Sequence, residues 1–263
     1  MAGTARNSGV TTLFGVAALL MLTYFALPLG GLLAGQSPGR IAATLSDPLV
    51  RRAARNTLLT AIVSTTLATV FGVPLGYWLA RTDRPGVDAL TALVVFPLVL
   101  PPVVSGMLLV GVLGPAGLAG LTGLSLLSTH AGIVAAQVFV AAPFVVLTAR
   151  SAFAGIDRRI EEAARTLGAS DWATFRRVTL PLASRGVLAG VTLAFARAAG
   201  EFGATLLVAY FPRTLPVQIW VSFQRIGLDG AFPVALVLVV VAVLALGVLR
   251  WLGTGLFAVG GPE

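Results

Sequence analysis

The sequence predicts an all-α integral membrane protein with six transmembrane helices, and three observations lead there. Hydrophobic residues make up 57% of the 263 and charged residues only 11%, with a mean hydropathy of +0.95, which leaves too little polar surface for a soluble globule of this length. Six apolar stretches are each long enough to cross roughly 30 Å of hydrocarbon, a distance that takes about 20 helical residues. The arginines stand mostly at the ends of those stretches, as membrane topology demands.

The first span is 10–35. Arg6 precedes it and Leu33-Ala34-Gly35 looks like a signal cleavage site, but the apolar run exceeds the roughly 7–15 residues of a signal core, so it reads as a retained span. Pro28, Gly30, Gly31 and Gly35 predict an irregular outer end. The second span, 57–80, contains Pro74. The third, 89–113, contains Pro97, Pro101 and Pro102 followed by Ser105 and Gly106. Each proline removes a backbone donor, so helix there must kink or unwind, and freed carbonyls must face protein or water rather than lipid. A static kink and a hinge or constriction on a conduction path both fit.

The fourth span, 131–148, carries Pro143 and begins beside the single histidine, His130, which reads as an interfacial polar residue. The fifth, 186–210, holds two charges. Arg197 and Glu201 are four residues apart on one helical face, near the middle of the bilayer at about 1.5 Å of rise per residue. They read either as a self-satisfying ion pair among the small residues Ala194, Ala198, Gly200, Gly203 and Ala204, or as a pair beside a translocation path that changes partners between two states. The sixth span is 233–252.

Six spans place both termini on one side. A cytoplasmic N-terminus puts eleven arginines inside (6, 81, 84, 150, 158, 159, 165, 176, 177, 185 and 250) and six outside (40, 51, 52, 55, 213 and 225), the sense of the positive-inside rule. Arg51, Arg52 and Arg55 run against it. They predict a short amphipathic turn snorkelling to outer head groups, with a positive rim for an anion as the other reading.

The long inner loop 150–185 divides into two helical phrases. Residues 160–167 wind about two turns, Gly168 is the residue type that ends a helix in the left-handed conformation, and Ser170 or Asp171 can cap the next start, which runs toward Pro181. Ala163, Ala164 and Gly168 carry little side-chain bulk, so another protein's surface can approach the backbone, and Glu161, Glu162 and Arg165 supply charge around that patch. A solvated interfacial helix with a Glu161–Arg165 pair fits the same residues.

Several chemistries are excluded. All 18 basic residues are arginines, so neither a lysine-containing phosphate loop nor a Schiff-base site exists. Without cysteine, and with one histidine, metal-ligand and thiol spacings are missing. The net charge of +8 is explained by span ends rather than by nucleic acid. No catalytic set of carboxylates, Ser/His/Asp or glycine-rich cradle appears.

The pattern Glu162-Ala163-Ala164, three residues, Gly168, nine residues, Val178-Thr179-Leu180-Pro181 resembles the signature loop of permease subunits of ABC importers, with Val178 where Ile is commoner. Residues 195–205 (Phe-Ala-Arg-Ala-Ala-Gly-Glu-Phe-Gly-Ala-Thr), 96–106 (Phe-Pro-Leu-Val-Leu-Pro-Pro-Val-Val-Ser-Gly) and 209–217 resemble segments of molybdate and tungstate permeases. Sulfate/thiosulfate permeases are similar relatives. The resemblance covers about 56–252.

This resemblance implies the six-helix type I importer architecture. Its units are an N-terminal span and outer loop (1–55), a core of five spans with the coupling loop 150–185 (56–252), and a tail (253–263). It further implies a prokaryotic cytoplasmic-membrane protein acting as a homodimer in lipid. Two cytoplasmic ATPase subunits would use ATP, and an extracytoplasmic oxyanion-binding protein would deliver cargo. The chain itself would bind no cofactor or metal and would not be an enzyme. Glu161, Glu162, Ala163, Ala164 and Gly168 would dock the ATPase; Pro101, Pro102, Ser105, Arg197 and Glu201 would line or gate the path. A non-transport assembly subunit, or a membrane enzyme using Glu201 or Asp229, are the rival readings.

Overall fold

The computed structural model describes the backbone of residues 5–257 and the side chains of 9–248, so Arg6, Arg250 and the 253–263 tail lie outside the described side chains. Among the described residues, six helical stretches are long and apolar enough to cross a membrane. The first is α1 (Ala5–Ala34), which continues through Pro28. The irregular outer end expected from Pro28 and the glycines is therefore absent up to Ala34. Ser37 then caps α2 (Pro38–Ser46) by accepting from Arg40 N at 3.3 Å, and Asp47 caps α3 (Pro48–Arg81) by accepting from Leu49 N at 2.8 Å. Proline at the first helical position suits both starts, where its missing donor has no intrahelical partner to lose.

Helix α3 has 34 residues, about 50 Å at 1.5 Å per residue. Arg51, Arg52 and Arg55 sit in its first turns, not in the separate short turn the sequence suggested. After a turn through Gly86, at φ +96°, the third span also differs from expectation. It forms two helices, α4 (Val87–Val99) and α5 (Pro102–Leu113), separated by Leu100 and Pro101 in extended conformation (ψ 136° at both). Pro101 and Pro102 donate no hydrogen bonds, and each biases the residue before it away from helix. Pro97, by contrast, is absorbed within α4.

A short helix α6 (Leu118–Thr122) leads to α7 (His130–Ala154), then α8 (Arg158–Thr166) and α9 (Asp171–Thr174). A π-helical turn, Phe175–Thr179, joins α9 to α10 (Leu180–Ala199). Residues 171–199 thus form one continuous rod, with Pro181 accommodated in the first turn of α10. The fifth span expected over 186–210 is broken: α10 stops at Ala199, Gly200 to Phe202 interrupt it, and α11 (Gly203–Val208) resumes. Helix α12 (Leu215–Ile226), which the sequence reading did not separate, precedes α13 (Leu228–Phe257).

Small residues let the central helices close. A β-carbon on Gly76 would lie 2.8 Å from Ala149 Cβ, and one on Gly186 would lie 2.6 Å from Ala152 Cβ, so α3 and α10 both approach α7 backbone to backbone, the packing favoured where no hydrophobic effect drives helices together. Buried Ala61, Ala68, Val145, Phe153 and Ala194 fill the space between these three helices. Polar ties hold one end: Leu215 N donates to Thr57 Oγ1 at 2.7 Å, and Asn56 Nδ2 donates to Arg213 O at 2.8 Å.

Candidate functional site

Two places combine polar groups with irregular backbone, and the 171–199 rod joins them. At the end of the molecule that carries the 150–185 loop, Asp157 caps α8 by accepting from Arg159 N at 3.0 Å, and Gly168 ends it at φ +90°. Ser170 caps the next start, accepting from Ala173 N at 3.3 Å. The Gly168 stop and the Ser170 cap follow the sequence reading, whereas α8 starts two residues earlier than expected, under an Asp157 cap the sequence reading did not name. Glu162, Ala163 and Gly168 are exposed and Ala164 half-buried, and the neighbouring Leu167 and Trp172 are 89% and 68% exposed. Helix α8 and the turn that follows it therefore present small residues, the Glu162 carboxylate, Arg158, Arg159 and Arg165, and large apolar side chains to the outside.

Glu161 does the opposite. Its side chain is 3% exposed and points inward, where Arg81 Nη2 donates to Oε1 at 2.7 Å and Arg81 Nε lies 3.2 Å from both carboxylate oxygens. Thr179 Oγ1 donates to Oε1 at 2.9 Å. The Glu161–Arg165 pair expected from their spacing is a 3.9 Å contact; Arg165 bonds Asp171 more closely, at 2.8 Å. A charge drawn from the sequence as part of an outer rim is thus held inside the joint. Arg81 and Thr179 went unnoticed as its partners. Arg81 stands at a span end like most arginines here, and only the tertiary fold brings it to a residue 80 positions away.

A second pair crosses nearby: Arg158 bonds Asp83 through Nη1 at 2.7 Å and Nη2 at 3.1 Å. The hydrogen bond from Arg158, and then its charge, hold the Asp83 carboxyl below its ordinary range, while Asp83 raises Arg158 in return. Beneath these pairs Tyr77, Phe153 and Phe175 meet edge to face or tilted at 5.0 to 6.1 Å, an arrangement that suits ring quadrupoles.

The second place is where both broken spans meet. Glu201 is 1% exposed at the gap between α10 and α11. Its Oε1 accepts from Ala204 N at 2.7 Å, and its Oε2 faces the Arg197 guanidinium, whose side chain is 28% exposed. A carboxylate at this depth requires such donors, because water is not there to supply them. A β-carbon on Gly106 would lie 3.0 Å from Ala204 Cα, so α5 and α11 touch through their backbones. Ser105 is buried and its hydroxyl has no hydrogen-bond partner among the described residues; Pro101 and Pro102 are exposed. The fold therefore gathers Pro102, Ser105, Arg197 and Glu201 around two adjoining breaks.

His130, assigned no role from sequence, places Nε2 3.1 Å from Asn56 Oδ1. Together with Arg52, Arg55 and Thr60 it lines a cleft of about 700 Å³ at the end of α3 opposite the α8 loop.

Comparison with known proteins places this geometry. Residues 72–257 match the family described as binding-protein-dependent transport system inner membrane component. A probable molybdenum ABC transporter permease protein of Haloferax volcanii is 55% identical over 257 residues, 95% of this chain and 96% of that one. A molybdate/tungstate transport system permease protein of Thermococcus kodakarensis is 40% identical over 249 residues, 94% of this chain and 97% of that one. In fold, the chain is similar to a chain in the crystal structure of a bacterial alginate ABC transporter bound to an alginate pentasaccharide-loaded periplasmic protein, with a TM-score of 0.74, 17% identity and coverage of 97% of both chains. With its broken spans and its capped α8 loop, this multi-pass membrane protein belongs to the binding-protein-dependent transport system inner membrane component family.

Proposed function

We propose that the chain is the permease subunit of an ATP-driven importer of molybdate or tungstate. Two copies form the path, two separate ATPase subunits dock from the cytoplasm, and an extracytoplasmic binding protein delivers the oxyanion. The observation that carries this reading is the division of labour on α8, where Glu162, Ala163 and Gly168 face outward and Glu161 faces the joint. A helix that exposes small residues beside one carboxylate, while its inner side is fixed, suits insertion into a cleft of another protein. The substrate class comes from the names of the Haloferax and Thermococcus relatives.

In this reading ATP is bound and hydrolysed by the partner alone, and this chain binds no cofactor. Closure of the ATPases moves α8. The 29 residues of the 171–199 rod span about 43 Å at helical rise and carry that movement to the gap at Gly200–Phe202, next to the gap at Leu100–Pro101. Arg197 and Glu201, with Pro101, Pro102 and Ser105, then form the gate, and rearrangement of the two gaps exposes the path to one side or the other. Few charged donors face the spans, so the anion is held weakly and leaves readily. Selection among tetrahedral dianions rests with the binding protein. The N-terminus lies in the cytoplasm with the α8 loop.

The test is Glu162→Lys. Reversing this exposed charge is expected to abolish capture of the ATPase by the permease and to stop uptake, with membrane insertion intact; capture and uptake at the wild-type level would overturn the docking role.

A further inference from the structure

We infer that Glu161 is a positioning residue, a latch that makes α3 and the π-helical turn follow the docking helix. The inference rests on the import reading above and adds to it the route by which docking reaches spans that are not sequence neighbours of α8.

The chain alone ties α8 only to α7, through residues 155–157, and to α9, through residues 167–170. Helix α3 lies 80 residues away in sequence, yet its last residue, Arg81, is bonded through two nitrogens to the Glu161 carboxylate at 2.7 to 3.2 Å. From a third element, the last residue of the π-helical turn, Thr179, donates at 2.9 Å. Three elements thus converge on one carboxylate. The joint is largely shielded from solvent: Glu161 is 3% and Arg81 13% exposed at the side chain, and Thr179 is fully buried. A buried, charge-assisted, multiply bonded pair is shorter and stiffer than a surface ion pair, and one partner left alone there is strongly unfavourable. The contact therefore transmits displacement instead of yielding to water.

The surroundings fit a mechanical joint. Arg81 also donates to Ile156 O at 3.4 Å and lies over the Tyr77 ring at 5.9 Å, while the Tyr77–Phe153–Phe175 cluster fills the space below. The π-helical turn has a wider hydrogen-bond register than the helix on either side, the kind of segment where a helix can shift; the Thr179–Glu161 bond ties it to α8. At its far end α3 holds the 209–215 segment through Thr57 and Asn56. A displacement of α8 latched to α3 is therefore delivered across the membrane to the outer end as well as along the 171–199 rod.

The experiment uses the full transporter, permease with ATPase and binding protein, in proteoliposomes. For Glu161→Gln the retained ATPase and the labelled molybdate taken up per ATP hydrolysed are measured in one preparation. The latch predicts ATPase retention with uptake per ATP reduced at least tenfold. Unchanged uptake per ATP overturns it, and so does loss of ATPase capture, which would place Glu161 in the docking contact itself. If Glu161→Gln fails to assemble, Thr179→Val and Arg81→Lys are read by the same ratio with the same criteria. Absence of ATP-driven uptake in the unsubstituted transporter is a distinct result: it refutes the import reading, and the latch falls with it.

Discussion

Gly203 and Pro102 are in backbone contact: a β-carbon on Gly203 would lie 2.7 Å from Pro102 Cβ and 3.1 Å from Val103 N. Each residue opens the helix that follows a gap, Pro102 starting α5 and Gly203 starting α11. The two helix interruptions are therefore in direct contact.

Gly203→Ala should displace α11 from α5. Overpacking of a close contact typically costs about 1–3 kcal/mol, read as a lower melting temperature of the purified protein in detergent. Gly111→Ala, at a position with open space for a β-carbon, should leave the melting temperature nearly unchanged. Equal stability of both variants would contradict the contact.

Glu201→Gln keeps an oxygen for the Ala204 N–H but removes the charge facing Arg197. Transport should fall with assembly preserved if the pair belongs to the gate, as proposed. Glu201→Leu leaves both Arg197 and the Ala204 N–H without their partner. Breaking a buried pair in this way costs about 3–5 kcal/mol, so this variant should fail to assemble. Loss of assembly in Glu201→Gln as well would make the pair structural only.

The Asp83–Arg158 pair gives a pH prediction. The Asp83 carboxyl is held below its ordinary range by the hydrogen bond and charge of Arg158. A carboxyl with a lowered folded-state value stabilises the fold above the ordinary aspartate pKa of about 4, and that contribution disappears as pH falls through the lower folded value. Asp83 is exposed and the pair is screened by salt, so its effect is small. The stability difference between wild type and Asp83→Asn should be present from about pH 5 to 8, shrink as pH falls below about 4, and vanish once pH is below the lowered folded-state value. A difference that does not shrink at all as pH falls below about 4 would contradict the assignment.

The six spans and the α8 loop were legible because hydropathy, capping residues and Gly168 act locally. Gly168 takes a left-handed φ and Ser170 caps α9, both as local chemistry requires. The prolines of the third span announced a disturbance but not its site. Pro97 stayed helical and the gap opened at Leu100–Pro101, because two consecutive missing donors disturb the ladder more than one. The gap at Gly200–Phe202 carries no such mark; it depends on Glu201 finding the Ala204 N–H and on Gly203 meeting Pro102. Glu161 was legible as a charge beside the small-residue patch of α8 but not as an inward one, because Arg81 reaches it only through the packing of α3 on α7.

The central claim is that ATP drives a tetrahedral oxyanion through this chain. Its most direct test is uptake of labelled molybdate into proteoliposomes holding the permease, its ATPase and its binding protein, with and without ATP and with excess sulfate as competitor. Uptake is expected to require ATP and to survive excess sulfate. Uptake suppressed by sulfate would move the chain to the sulfate/thiosulfate importers, and no ATP-dependent uptake of either anion would contradict the claim.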